Sequence, residues 1–263
     1  EPNLVDYAGV GEAKRSVLEL LYVHFRRQHL AASDERAAQF RAFQSEGGRA
    51  LRRHALFDAL QEHLHRQDAS IWGWPVWPEA LKHADAPEVH RFCTEHLDRV
   101  EFFEYLQWQA DLQYGAAARR SYENGLGVGI YEDLAVSIDR GGAEAWANQD
   151  LYAIDASVGA PPDDFNLKGQ DWGLPPMIPR RLQDAAYAPF IDTLRANMRH
   201  SGALRIDHVM GIMRLFWVPP EGKAADGVYV RYPFEDMLGL LALESQRNHC
   251  LVIGEDLGTV PDE

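Results

Sequence analysis

Three short apolar runs in this chain each lead into an acid. Residues 126–131 are followed by Glu132 and Asp133, residues 203–206 by Asp207, and residues 251–254 by Glu255. Two carboxyl groups held roughly 5 Å apart are what cleavage of a glycosidic bond with retention requires, one attacking the anomeric carbon and the other protonating the leaving oxygen. Asp207 and Glu255 suit that division of labour if the strands carrying them are neighbours. The same acids also read as salt-bridge or capping partners at strand ends. Arg205 stands two residues before Asp207 and so shares its strand face. It is either a structural ion-pair partner or the cation that keeps a nucleophilic carboxylate ionised.

His208, beside Asp207, reads as a metal ligand, a donor to sugar hydroxyls or a plain loop residue. None of the eleven histidines is expected to form an HxH or HExxH group, which makes metal the weakest of the three. The run GLGVGI (125–130) invites a dinucleotide reading, but Ile130 replaces the third glycine and the run reads as strand rather than turn. No G-x-S-x-G elbow and no Walker-type loop occurs. Acid/base carbohydrate chemistry is therefore the class best supported by the residues.

The elements that must position these acids differ between the two parts of the chain. From residue 11 to about 125, Val17, Leu18, Leu21, Val23 and Phe25, then Phe40, Phe43, Leu56, Phe57, Leu60 and Leu64, recur mainly at steps of three and four. That spacing predicts helices, broken at residues 31–34 and at Gly47-Gly48. A long helical pattern covers 88–123, where Phe102, Phe103, Tyr105, Leu106 and Trp108 make a stripe expected to be core. Between these patterns IWGWPVWP (71–78) forbids regular helix, and Trp72, Trp74 and Trp77 read as a packed loop cluster or as a sugar-stacking platform. After residue 125, apolar runs alternate with Gly, Pro and helical stretches, as expected of β/α units around a parallel sheet. Residues 233–246 predict a crossover helix opening with Pro233. Strands that each end in a carboxylate are what a (β/α)8 barrel needs, since its catalytic residues project from the C-terminal strand ends. A doubly wound sheet satisfies the same alternation.

Acidic side chains outnumber basic ones, 40 to 26, for a formal charge of -14, and no Lys/Arg cluster stands against it. Phosphate backbones and anionic lipid surfaces are repelled, so nucleic acid and membrane are poor partners. The apolar stretch 238–243 is too short to cross a bilayer, and the N-terminal residues lack the layout of a signal peptide. Cys93 and Cys250 lie far apart in segments that read as helical and outside any ligand-spaced group. They read as reduced thiols, which points to the cytoplasm. The chain opens on Glu1 and stops soon after a strand-like run, so it reads as a piece of something longer.

GALRIDHVMG (202–211), VIGEDLGTVP (252–261), SVGAPPD (157–163) and GQDWGLPP (169–176) resemble signature segments of the 4-alpha-glucanotransferases, also called amylomaltases or disproportionating enzymes. LVDY (4–7), IYEDLAV (130–136), YAPFI (187–191) and GVYVRYPFEDMLGLLALES (227–245) extend the likeness, which is greatest to the bacterial maltose-utilisation branch. The resemblance implies that Asp207, in RIDH, is the nucleophile and Glu255, in GED, the general acid/base. Arg205 and His208 match neighbours that bind the sugar at the cleavage point. Trp172 corresponds to an aromatic of the substrate groove, and Asp133 to a strand-end position near the same cleft. The implied reaction moves α-1,4-glucan segments between maltooligosaccharides and calls for no cofactor and no metal.

The implied fold is α/β, part of a (β/α)8 TIM-type barrel with a large helical insertion in its N-terminal half. Residues 1–124 form the helix-rich part and 125–263 the central β/α units, incomplete at both ends. A third family carboxylate, in a later HD motif, and strand material before Leu4 are expected outside the chain, so the 263 residues alone are expected to be inactive. Two other functions remain open at this point: an α-amylase-type hydrolase, and a non-catalytic glucan-binding fragment whose acids are structural.

Overall fold

The structure, a computed structural model, describes residues 4–257. The chain divides into two compact units, Glu1–Gln113 and Tyr114–Glu263. In the first, α1 (Tyr7–Phe25) starts at Asp6, whose carboxylate accepts the Gly9 N–H at 2.9 Å, and runs into a π-helical turn at Arg26–Leu30. Next comes α2 (Glu35–Gln67), capped by Asp34 accepting from the Ala37 N–H. Both expected breaks occur: Ser33 adopts φ 52, and α2 kinks at Gly48, with φ 49 and ψ -131. The single long helix expected over 88–123 is instead two, α3 (Pro87–Glu95) and α4 (Leu97–Glu123), parted where His96 leaves helical geometry at φ -119, ψ 32. The division between the units falls inside α4, and the expected boundary at residue 124 falls at that helix's end.

The aromatic stripe is core. Phe102, Tyr105 and Trp108 pack with Tyr22, Phe25 and Phe40, and the Phe25 and Tyr105 ring centroids lie 5.0 Å apart. On α1 Tyr22 and Phe25 are buried and Leu18 is half-buried beside them, while Val17 is 57% and Leu21 50% exposed. In the loop after α2, Trp74 and Trp77 are buried, Trp77 lying 5.0 Å from the Phe57 ring, while Trp72 is 73% exposed and stands edge-on to His65. Packing thus describes two of the three tryptophans.

The second unit holds β1 (Tyr131–Leu134), α5 (Ala143–Ala147), β2 (Ser157–Ala160), β3 (Gln170–Asp171), α6 (Pro179–Asp184), α7 (Ala188–Met198), β4 (Ala203–Ile206), β5 (Arg214–Val218), β6 (Val228–Arg231), α8 (Phe234–Asn248) and β7 (Leu251–Gly254). Strands β1, β4 and β7 form a parallel sheet in that order, with Leu134, Ile206 and Gly254 in register. Central β4 buries Ala203, Leu204 and Ile206, as a continuous apolar run in a parallel sheet should. The crossover helices α7 and α8 pack on each other, placing Leu194, Met198 and Leu241 in the same core as Leu204. The fold is α/β. Helix α8 answers the prediction over 233–246, with Pro233 at its cap rather than in its first turn.

Three expectations are corrected here. The run 126–130 is loop, and β1 begins only at Tyr131. Gly125 and Gly129 stand at φ 85 and 78, a left-handed conformation that no strand contains, and the Tyr122 hydroxyl donates to the Val128 carbonyl inside that loop. Glu132 and Asp133 therefore sit within the strand instead of beyond it. Cys250 is not helical: α8 ends at His249, with φ 51, and the buried thiol lies at the entrance to β7. The third is a second sheet, antiparallel, in the order β3-β2-β5-β6, which a wholly parallel reading missed. Among the described residues no helix is long and apolar enough to cross a membrane.

Candidate active site

Ile206 and Gly254 are partners in the parallel β4–β7 ladder, so the residues that follow them, Asp207 and Glu255, leave adjacent strands side by side. Neighbouring strands lie about 4.8 Å apart, which is the separation scale of a retaining carboxyl pair. The ladder continues through both acids. The Asp207 N–H donates to the Leu134 carbonyl at 3.0 Å, the Glu255 N–H to the Ile206 carbonyl at 2.9 Å, and the Val209 N–H to the Glu255 carbonyl at 2.9 Å. At the other end of β4 the chain passes so close to the 126–130 loop that a Cβ on Gly202 would lie 1.4 Å from the Val128 carbonyl oxygen.

Arg205 joins two acids. Its Nη1 donates to Asp133 Oδ1 at 2.6 Å and its Nη2 to Asp207 Oδ1 at 3.0 Å, and Asp133 is its register partner on β1. The hydrogen bond to Asp133, followed by the charges of both acids, raises the guanidinium above its ordinary pKa despite some desolvation. At Glu255, burial pushes the carboxyl up, but the backbone N–H groups of His208, at 2.9 Å to Oε2, and of Leu257, at 2.8 Å to Oε1, pull it down. With Arg205 and His208 nearby, the net position is below the usual carboxylate range. His208 presents that N–H from a left-handed backbone, φ 50, and stands its ring edge-on to Trp172 with centroids 5.4 Å apart. Burial lowers the imidazole pKa, against the pull of Glu255 and Asp207. Trp172 is fixed in turn by its Nε1 donating to Gln170 Oε1 at 3.1 Å.

The structure thus gathers Asp133, Arg205, Asp207, His208 and Glu255 at the ends of three parallel strands and brings Trp172 to them through His208. An HxH spacing does occur elsewhere, at His63 and His65, but the rings diverge, His63 meeting His96 and His65 meeting Trp72. Among the described residues no three His, Cys, Asp or Glu side chains cluster as a metal site. Sequence reasoning missed the Leu257 N–H, a backbone group with no signature. It also missed a cavity of about 230 Å³ beside His208 and Trp172, walled by Arg214, Phe216 and Tyr229. The β-branched and aromatic residues of RLFWV and VYVR were the available signal for that wall. Residues 258–261 of the VIGEDLGTVP segment lie outside the described residues.

A family model described as 4-alpha-glucanotransferase matches residues 1–263. The 4-alpha-glucanotransferase of Haemophilus influenzae is 43% identical over 266 residues, covering 100% of this chain and 38% of that protein. That of Mycobacterium tuberculosis is 41% identical, covering 98% and 34%. The chain therefore spans little more than a third of these relatives. Among solved structures, amylomaltase from Corynebacterium glutamicum matches with a TM-score of 0.77 at 37% identity, over 95% of this chain and 32% of that one. Amylomaltase from Streptococcus agalactiae, in complex with acarbose, matches with a TM-score of 0.80 at 23% identity, over 100% and 52%. The shared fold makes the three parallel strands part of a (β/α)8 barrel. By the match over its whole length, the chain belongs to the 4-alpha-glucanotransferase family.

Proposed function

We propose that the protein carrying this chain moves α-1,4-glucan segments between maltooligosaccharides by retaining double displacement, with Asp207 as nucleophile and Glu255 as general acid and base. The observation that supports it is the placement of these two carboxyls at equivalent ends of adjacent parallel strands. Asp207 attacks the anomeric carbon while Glu255 protonates the departing oxygen, and a glucosyl ester on Asp207 replaces the glycosidic bond. Glu255, now a carboxylate, takes the proton of an acceptor glucan's 4-hydroxyl as that oxygen displaces Asp207. Arg205, donating to Asp207 Oδ1 at 3.0 Å, aims the nucleophile. The open site holds Glu255 as a carboxylate, so its role as acid needs a bound glucan to exclude water and raise its pKa.

Trp172 and His208 offer an aromatic wall to the sugar, and Asp133, tied through Arg205, a strand-end hydrogen-bonding group. The Streptococcus agalactiae neighbour binds acarbose, and we extend that ligand to this cleft. The reaction needs no cofactor, since carboxyls and hydroxyls handle every proton. Two free cysteines, Cys93 and Cys250, support a cytoplasmic location. Incubation of maltotriose with the protein carried to its natural termini, beside the 263 residues, tests the proposal by chromatography. Glucose together with maltopentaose and longer chains is the expected result. Glucose and maltose alone would make it a hydrolase, and no product would leave only a binding role.

A further inference from the structure

The cavity beside His208 contains a cation that the chemistry above does not use. Arg214 opens β5 and extends across Tyr229 of β6, with its guanidinium carbon 4.4 Å from the centre of the phenol ring. Phe216, the register partner of Tyr229, meets that ring edge-on at 5.2 Å, so the cation rests on a fixed aromatic support. Arg214 Nε is buried without a hydrogen-bond partner, and its guanidinium makes no ion pair among the described residues. A buried N–H left unpaired is costly, and a ligand oxygen in the cavity would supply the missing acceptor.

The chemistry of the walls limits the ligand. One acid, Asp163, lines the same cavity, but its Oδ1 already accepts the backbone N–H groups of Phe165 at 2.9 Å and Asn166 at 2.6 Å. Trp172 faces the cavity as well, offering an apolar ring of the kind on which a sugar face stacks. A single cation with an acid nearby suits neutral hydroxyls better than a phosphate, for which a cluster of cations and helix N-terminal amides is the usual arrangement.

The geometry points to a glucose-binding subsite in which Arg214, held on Tyr229, donates to hydroxyl oxygens of a glucosyl unit lying between it and Trp172. The assignment rests on the reading of Asp207 and Glu255 as the reacting pair, because the cavity opens beside His208, whose N–H holds Glu255. Arg214 binds; it takes no part in proton or glucosyl transfer.

The test measures affinity separately from turnover. In the protein carried to its natural termini and inactivated by Glu255→Gln, maltotetraose binding is followed by calorimetry with and without Arg214→Met and Arg214→Lys. Loss of charge-assisted hydrogen bonds weakens binding on the order of tenfold for Arg214→Met. Arg214→Lys, a point charge without the planar fork, recovers part of that loss. Melting temperatures of both variants are recorded alongside. A purely structural role would lower the melting temperature and leave affinity within about threefold of the parent, and that result overturns the assignment. In the active background, Arg214→Lys should raise KM and leave kcat unchanged. If the protein with Glu255 intact binds maltotetraose but never transfers it, the catalytic reading fails while the binding comparison still decides the subsite.

Discussion

Arg205 ties the site together, since one guanidinium holds Asp133 and Asp207 and its charge adds to the backbone N–H groups that lower the Glu255 pKa. Arg205→Met removes both ion pairs and that lowering influence together. The Glu255 titration, followed by carboxyl carbon NMR, should move to higher pH, and kcat/KM of the full protein should fall by roughly a hundredfold or more. A Glu255 titration that stays in place would show that Arg205 does not act on it. The Arg205–Asp207 pair was legible in the sequence because two residues along a strand return to the same face. The bond from Arg205 to Asp133 was not, because it depends on which strands are neighbours and in what register. The backbone N–H groups that hold Glu255 were invisible for another reason: they belong to the left-handed turn at His208 and to Leu257, and neither residue type announces them.

Between β1 and β4 the close approach at Gly202 leaves no room for a side chain. Gly202→Ala should therefore cost about 3 kcal/mol, read as a lower urea midpoint, because the Val128 carbonyl is backbone and cannot swing away. A loss under about 0.5 kcal/mol would mean that the loop yields freely. The crossover helices depend on Glu244 of α8, 1% exposed, which accepts a two-point hydrogen bond from Arg195 of α7 at 2.9 Å for each contact and another from Arg247. Glu244→Gln should remove about 2 kcal/mol.

The pH dependence follows from the depressed folded pKa of Glu244, set first by the Arg195 hydrogen bond. Its stabilisation is complete above the range where an unfolded glutamate titrates and is lost as pH falls through the lower folded value. Urea unfolding of the parent should accordingly weaken on acidification more than that of the Gln variant. Apolar runs with clean ends, β4 and β7, were legible to the residue, although only β4 is largely buried. The start of β1 was not, because GLGVGI mixes strand-forming aliphatics with glycines whose left-handed torsions only the fold reveals.

Each of the two units carries its own core. The first is aromatic, and Trp108 at its centre touches both Phe25 and Phe40. Trp108→Ala should cost about 3–5 kcal/mol in a urea melt followed by circular dichroism, while Trp72→Ala, at a 73% exposed side chain, should stay within about 0.5 kcal/mol. Equal effects would contradict the division of the tryptophans between packing and solvent. At this scale the sequence was informative about class and less so about layering. Helical periodicity and acid-ended runs led to a helix-rich part followed by β/α units. The antiparallel sheet that walls the cleft was hidden, since the β-branched and aromatic residues of VYVR and RLFWV say strand without saying which partner.

The central claim is that Asp207 becomes glucosylated. It is tested most directly by incubating the full protein with an α-glucosyl fluoride fluorinated so that the intermediate breaks down slowly, digesting it, and locating the added mass by mass spectrometry. The account predicts the adduct on the peptide containing Asp207 and none in Asp207→Asn. An adduct on any other side chain, or glucan transfer at an undiminished rate by Asp207→Asn, would contradict it.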